Sequence, residues 1–181
     1  MKLIASTLTA LILVTVNAWA EAPNETTIDW KLAEEVKSLV ELKLDPQLGE
    51  VTYGPNFALS DKLLMEKYSE IYLTMSINPK NEEFYTLFVT THDNDQDWHS
   101  YDLATKKDGE KLDIKTIAKN ENVLVNNVDY KHEERLTISM SFIDFVDGFD
   151  FGMELTISGN QEEKLMLPAT YFRAMMQSMP Q

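Results

Sequence analysis

The sequence predicts an α+β domain dominated by β-structure: an antiparallel sheet or β-sandwich with an N-terminal and a C-terminal helix. Three observations carry this reading. Apolar residues recur at helical spacing near the two ends, around 28–40 and 172–179. Between them, short segments alternate with period two or run extended between turn residues. No repeat, low-complexity run or linker divides the 181 residues, so one globular domain over 28–181 accommodates them.

Taken in order, "TTIDWKLAEEVKSLVELKL" sets Ile28, Leu32, Val36, Leu39 and Val40 on one helical face, with Thr26 or Thr27 as N-cap. The helix is expected to stop before Asp45-Pro46, because proline disfavours helical geometry in the residue ahead of it. Gly54-Pro55 marks a turn, and a short helical piece fits after Ser60. From Tyr68 to Asn78-Pro79, Ile71, Leu73, Met75 and Ile77 alternate with Tyr72, Thr74 and Ser76, as in a half-buried strand. "EFYTLFVTT" places Tyr85, Leu87 and Val89 on one face and Phe84, Thr86 and Phe88 on the other. "DWHSYDLATKKDGEKLDIKTI" reads as an extended pair joined at Asp108-Gly109, whereas "AKNENVLVNNVDYKHEE" shows no clear period.

"RLTISMSFIDFVDGFDFGMELTISG" fits a hairpin turning at Asp147-Gly148, in which Val146 faces Phe149, Asp144 faces Phe151 and Phe142 faces Met153. A brief helix from Ser141 through Phe145 and Val146 is the alternative, and the plain hairpin is preferred. "EEKLMLP" adds a last strand. Pro168, at a permitted first-turn position, opens a helix whose Phe172, Met175, Met176 and Met179 fall at i, i+3, i+4 and i+7. Three clustered methionines suggest a copper(I) site, but this spacing is that of a core stripe filled by adaptable side chains.

The first residues have the form of a Sec signal peptide over 1–20, with Lys2, an apolar run from Leu3 to Val16, and Ala18-Trp19-Ala20 ahead of the expected cut after Ala20. Residues 21–27 then form a short leader, and the protein is expected in the periplasm or secreted, with no membrane span after cleavage. The chain has no cysteine, which excludes disulfides, thiolate metal sites and thiol catalysis even in an oxidising compartment. A net charge of −14 disfavours nucleic acid and anionic membrane surfaces and favours a cationic protein partner or a divalent cation.

"THDNDQDWHS" concentrates the candidate ligands. Asp93, Asp95 and Asp97 match the first three positions of an EF-hand loop, but Trp98 stands where the turn needs glycine and Ala104 where the bidentate glutamate belongs. Three readings stay open: a solvated acidic turn, a calcium site of another type, or a zinc or copper site using His92, His99 and Asp97. His132 lies in "HEERL", which is no HExxH motif because Leu136 occupies the second ligand position. If the loop leads into a strand, Trp98 should be buried, with Tyr101 or Leu103 turned inward beside it. No Gly-x-Ser-x-Gly elbow or phosphate-cradling loop is present. Among the carboxylates, Asp144 stands out because the hairpin would turn it toward an apolar face.

"DWHSYDLATKKDGEKL", Glu133-Glu134, "LTISG" and "LMLPATYFRAMM" together resemble a loosely defined group of exported bacterial proteins of unknown activity. In that group a Trp, an Ala, a Gly-x-x-Leu, a Glu, a Gly and a Pro-x-x-Tyr recur in order. The resemblance spans Asn78 to Met176 and implies an exported, mostly β domain, with no catalytic residues to carry over. Members often have a cysteine pair in the region of Asn120 to Tyr130, and this chain has none. Three functions follow from the sequence. The first is a non-catalytic binding or accessory protein acting through its acidic surface or a sheet edge, for instance as an inhibitor or immunity protein toward a basic enzyme. The others are a calcium- or zinc-binding module centred on Asp93 to Asp97, and an unrecognised hydrolase.

Overall fold

A computed structural model describes residues 28–46, 49–78 and 80–179. The signal peptide, the leader and the Thr26 or Thr27 cap lie outside the described residues. Within them run β1 (Glu41–Asp45), β2 (Gly49–Tyr53), β3 (Tyr68–Ile77), β4 (Glu83–Asp93), β5 (Leu103–Lys106), β6 (Lys111–Val125), β7 (Val128–Met140), β8 (Met153–Ser158) and β9 (Glu162–Leu167). The helices are α1 (Ala33–Lys37), α2 (Lys62–Met65), α3 (Phe142–Phe151) and α4 (Ala169–Gln177), with a 3₁₀ turn at Phe57–Ser60.

The strands form one curled antiparallel sheet in the order β1-β2-β3-β4-β7-β6-β5-β8-β9, so the α+β, mostly β architecture takes its single-sheet form and not the sandwich. β6 makes this continuity possible. Lys111 and Leu112 pair with β5, while the strand from Asp113 onward pairs with β7 through a bulge between Thr116 and Ala118. The stretch without a clear period is the tip of this hairpin. Asn126 and Asn127 both adopt positive φ, 51° and 63°, the two-residue turn whose twist matches the flanking strands. The Asp108-Gly109 joint is as expected, with Gly109 at φ 89°.

Alternation decides which side chains fill the core. Ile71, Leu73, Leu87, Val89, Leu136 and Ile138 are fully buried on β3, β4 and β7, and Phe145, Tyr171, Phe172 and Met175 from α3 and α4 join the same cluster. The methionine stripe of α4 is core packing, since Met175 is buried and Met176 and Met179 pack against it. Tyr171 ties helix to sheet: its hydroxyl accepts from the Leu73 amide at 3.0 Å and donates to the Pro55 carbonyl at 2.8 Å. Gly54 is needed there because a Cβ would overlap that hydroxyl.

Two expected elements are corrected. The N-terminal helix is only α1, and the stretch from Glu41 to Leu44, expected as its continuation, belongs to strand β1 paired with β2. In "ELKLD" the pairing with β2 prevails over helical period, and Leu42 and Leu44 stay exposed, so no core rewarded a longer helix. The preferred hairpin at 135–158 does not exist either. β7 and β8 have other partners, and Asp147-Gly148 lies inside α3. Ser141 caps α3 in a reciprocal box: its hydroxyl accepts from the Asp144 amide at 3.2 Å, and Asp144 accepts from the Ser141 amide at 2.8 Å. Gly148 then lets the helix seat on Phe172, whose ring would lie 2.6 Å from an added Cβ. Ser141→Ala is expected to destabilise the protein by about 1 kcal/mol in chemical denaturation; a hairpin turning at 147–148 would leave stability unchanged.

Candidate functional site

The core-facing row of β4 continues past Tyr85, Leu87 and Val89 into Thr91 and Asp93. On β7 the corresponding row runs Met140, Ile138, Leu136 and then Glu134 and His132, with Thr91 paired to Glu134 and Asp93 to His132. One end of the apolar face is therefore polar, and the segment Asn94–Asp102 returns across it. Three contacts fix that segment. The Ser100 amide donates to Glu134 Oε1 at 2.7 Å, the Asn160 amide donates to the His99 carbonyl at 2.6 Å, and Asn160 Nδ2 donates to the Trp98 carbonyl at 2.9 Å.

This return brings three of the five expected ligands together. Asp93, Asp95 and His99 each offer an atom within 4.8 Å of the others. His99 Nε2 is 2.7 Å from Asp95 Oδ2 and 3.7 Å from Asp93 Oδ2, and its Nδ1 is 2.7 Å from the Tyr101 hydroxyl. Asp93 Oδ1 accepts from the Asp95 amide at 2.9 Å and lies 3.3 Å from His132 Nδ1, while its Oδ2 is buried without a partner. Asp93 and His99 are nearly enclosed and Asp95 is open to solvent, so the cluster has one route to water.

Asp97 and His92 are corrected out of this set. Asp97 is exposed and offers no atom to the three-ligand group. His92 alternates to the opposite face from Asp93, where its ring meets Tyr130 at 4.0 Å and neither nitrogen has a partner. An EF-hand is excluded by the flanking β4 and by the path of the loop. His132 joins as the residue that orients Asp93; no sequence motif marks it, and only the β4–β7 register places it there.

Trp98 is half-buried and lies in the loop, since β5 begins only at Leu103; Tyr101, 2 % exposed, takes the inward anchoring role. The indole stacks on His132 at 4.2 Å, and Lys119 Nζ sits 5.0 Å from its ring. Asp144 is a structural carboxylate. Burial opposes its charge, but Lys106 at 2.5 Å and the Ser141 hydroxyl and amide outweigh that and hold it below the ordinary carboxylate range. Asp147 and Asp150 are exposed on α3.

A cavity of about 250 Å³ adjoins the cluster, with Asp93 and His99 on one wall and Tyr68, His92, Tyr130 and Glu163 among the others. Among the described residues, the buried side-chain polar atoms without a partner belong to Tyr68, His92, Asp93 and Glu134 alone. All four lie in this corner: Tyr68 pairs with Thr91, Thr91 with Glu134, and His92 and Asp93 follow Thr91. Folded proteins leave few such atoms, and here they concentrate in one place. Comparisons with protein-family models, with curated proteins and with solved structures each find no match.

Two expectations follow. Because Trp98 rests on one ring with its edge in water, Trp98→Ala should cost about 2 kcal/mol in denaturation, below the ~3–5 kcal/mol of a fully enclosed aromatic. An added quencher should reach it partially. The His92 imidazole is held below its ordinary 6.5 mainly by burial, against the pull of the Glu66 carbonyl, Glu133 and Asp93. The unfolded chain therefore takes up that proton first. Stability is full above about 6.5 and is lost as pH falls through it toward the lowered folded value. His92→Gln should make that acid limb shallower in urea titrations across the range.

Proposed function

We propose that the protein is an exported, non-catalytic binding protein that holds a divalent transition metal, zinc foremost, on Asp93, Asp95 and His99. The observation that supports it is the convergence of these three ligand atoms within 4.8 Å around a buried, unpartnered Asp93 Oδ2. Imidazole nitrogen and carboxylate oxygen suit zinc, whereas calcium asks for six to eight oxygens that this corner does not supply. With the Tyr101 hydroxyl 2.7 Å from Nδ1, the Nε2 side of the ring faces both carboxylates, the orientation a ligating histidine needs. His132 performs the same service for Asp93. A ligating imidazole nitrogen must be free of its proton, so metal and proton compete and affinity falls at acid pH.

Export draws on the run Leu3–Val16 with Ala18-Trp19-Ala20, and no helix among the described residues is long and apolar enough to cross a membrane. Thermal unfolding in zinc, in calcium and in chelator tests the metal. At a hundredfold excess over Kd, zinc should add about 2.7 kcal/mol and raise Tm by roughly 5–10 °C. Asp93→Asn and His99→Gln should abolish the shift, and Asp97→Asn should preserve it. Superimposable curves with and without zinc reject the assignment.

A further inference from the structure

The cavity beside the metal ligands has a chemistry of its own. Tyr68, 1 % exposed, and His92, 4 % exposed, have no hydrogen-bond partner, and with the free Oδ2 of Asp93 they line the same space. These groups are rich in acceptors. Asp93 can only accept, and the Tyr68 hydroxyl offers a lone pair beside it. Glu66 and Glu163 add negative charge, and the one ammonium present, Lys67, is bound to Glu163 at 2.6 Å. An anion would face Asp93, Glu66 and Glu163 with the Lys67 charge already paired. Tyr101 and Tyr130 contribute aromatic surface, which attracts cations and covers apolar carbon.

We propose that this cavity binds a small organic ammonium ion, its N–H groups donating to Asp93 Oδ2 and the Tyr68 hydroxyl while its carbon chain lies against Tyr101 and Tyr130. The site is distinct from the metal reading but shares Asp93 and borders His99, so the two cations exclude one another. A ligand of this class donates to the free Asp93 oxygen and to the Tyr68 hydroxyl and brings the charge opposite to its surroundings.

Calorimetric titration of the chelator-treated full chain with n-butylammonium, and in parallel with tetramethylammonium, tests this. Tetramethylammonium carries the same charge and no N–H. Saturable binding of n-butylammonium is expected, with tetramethylammonium at least about tenfold weaker, the loss expected when charged hydrogen bonds cannot form. Tyr68→Phe removes a hydroxyl that nothing in the fold uses, so it should fold normally and bind n-butylammonium several-fold more weakly. Tyr68→Phe should keep the wild-type zinc affinity. Tighter binding of Nα-acetyl-lysine methylamide than of n-butylammonium supports the site as a seat for a protein lysine, and the reverse supports a free amine. Equal binding of the two ammonium ions, unchanged affinity in Tyr68→Phe, or no saturable heat overturns the proposal. Zinc binding without ammonium binding defeats this inference alone, and ammonium binding without zinc binding defeats the metal assignment alone.

Discussion

Everything at the polar end of the sheet depends on the register of β7, which pairs along almost its whole length with β4 on one side and β6 on the other. In that register one face of β7 carries Met140, Ile138, Leu136, Glu134 and His132, and β4 presents Tyr85, Leu87, Val89, Thr91 and Asp93 opposite them. A slip of one residue would send both rows to the other face of the sheet. It would expose six buried apolar side chains and bury Arg135 and Thr137 in their place. The apolar two-thirds of each row therefore lock the register, and the locked register delivers Asp93, His132 and Glu134 to one corner. Packing energy fixes the geometry of groups that contribute little to packing themselves.

That corner is expensive for the fold. Glu134 is fully buried, with one oxygen held by the Ser100 amide and by Lys119 at 3.6 Å and the other unpartnered. A buried carboxylate with incomplete partners costs several kcal/mol, more than its single short hydrogen bond returns. Part of the compensation lies in the loop it pins. Ser100 takes φ 53°, an uncommon conformation for a residue with a Cβ, and this bend turns His99 toward Asp93 and Asp95 while Tyr101 turns inward. Gly159 allows the close approach, since a Cβ there would collide with the His99 carbonyl. A strained bend and an under-satisfied buried charge persist only where the surrounding structure over-determines them. Here the β4–β7–β6 ladder and the β8–β9 turn, through Asn160, do so.

How much of this the sequence makes legible depends on the range of the interactions involved. Period two reveals β3 and β4 because their alternation is written in consecutive residues, and the α4 stripe is equally local. The capping box from Ser141 to Asp144 is local too, but apolar alternation across 135–158 competes with it, and only the seat of Gly148 on Phe172 settles the matter. The β6–β7 tip hides because Asn-Asn is a weaker turn signal than Asn-Gly. In the site, the loop composition marks Asp93, Asp95 and His99. Nothing local separates them from Asp97 and His92: that distinction rests on the parity of β4 and the path of the return. Glu134, His132 and Tyr68 reach the corner through cross-strand pairing alone, a long-range fact with no sequence spacing to announce it.

Asp93 occupies the centre of this arrangement for an electrostatic reason. Its Oδ1 is committed to the Asp95 amide and His132, which fixes the carboxylate plane, and its Oδ2 is left between His99 and the cavity. Any positive species in the corner lowers its energy most by approaching that oxygen, whether a proton on His99, a metal on the three-ligand cluster or an ammonium in the cavity. These occupants cannot be present together at full strength, because each neutralises the same charge in a partly dehydrated space where Coulomb interactions are strong. The surface charge of the acidic chain draws cations toward this end without distinguishing among them. Discrimination falls to geometry: nitrogen beside two oxygens on the loop side, and hydroxyl, imidazole and aromatic carbon on the cavity side. One carboxylate, fixed by the sheet and bordered by two differently equipped walls, is what makes the corner selective among cations.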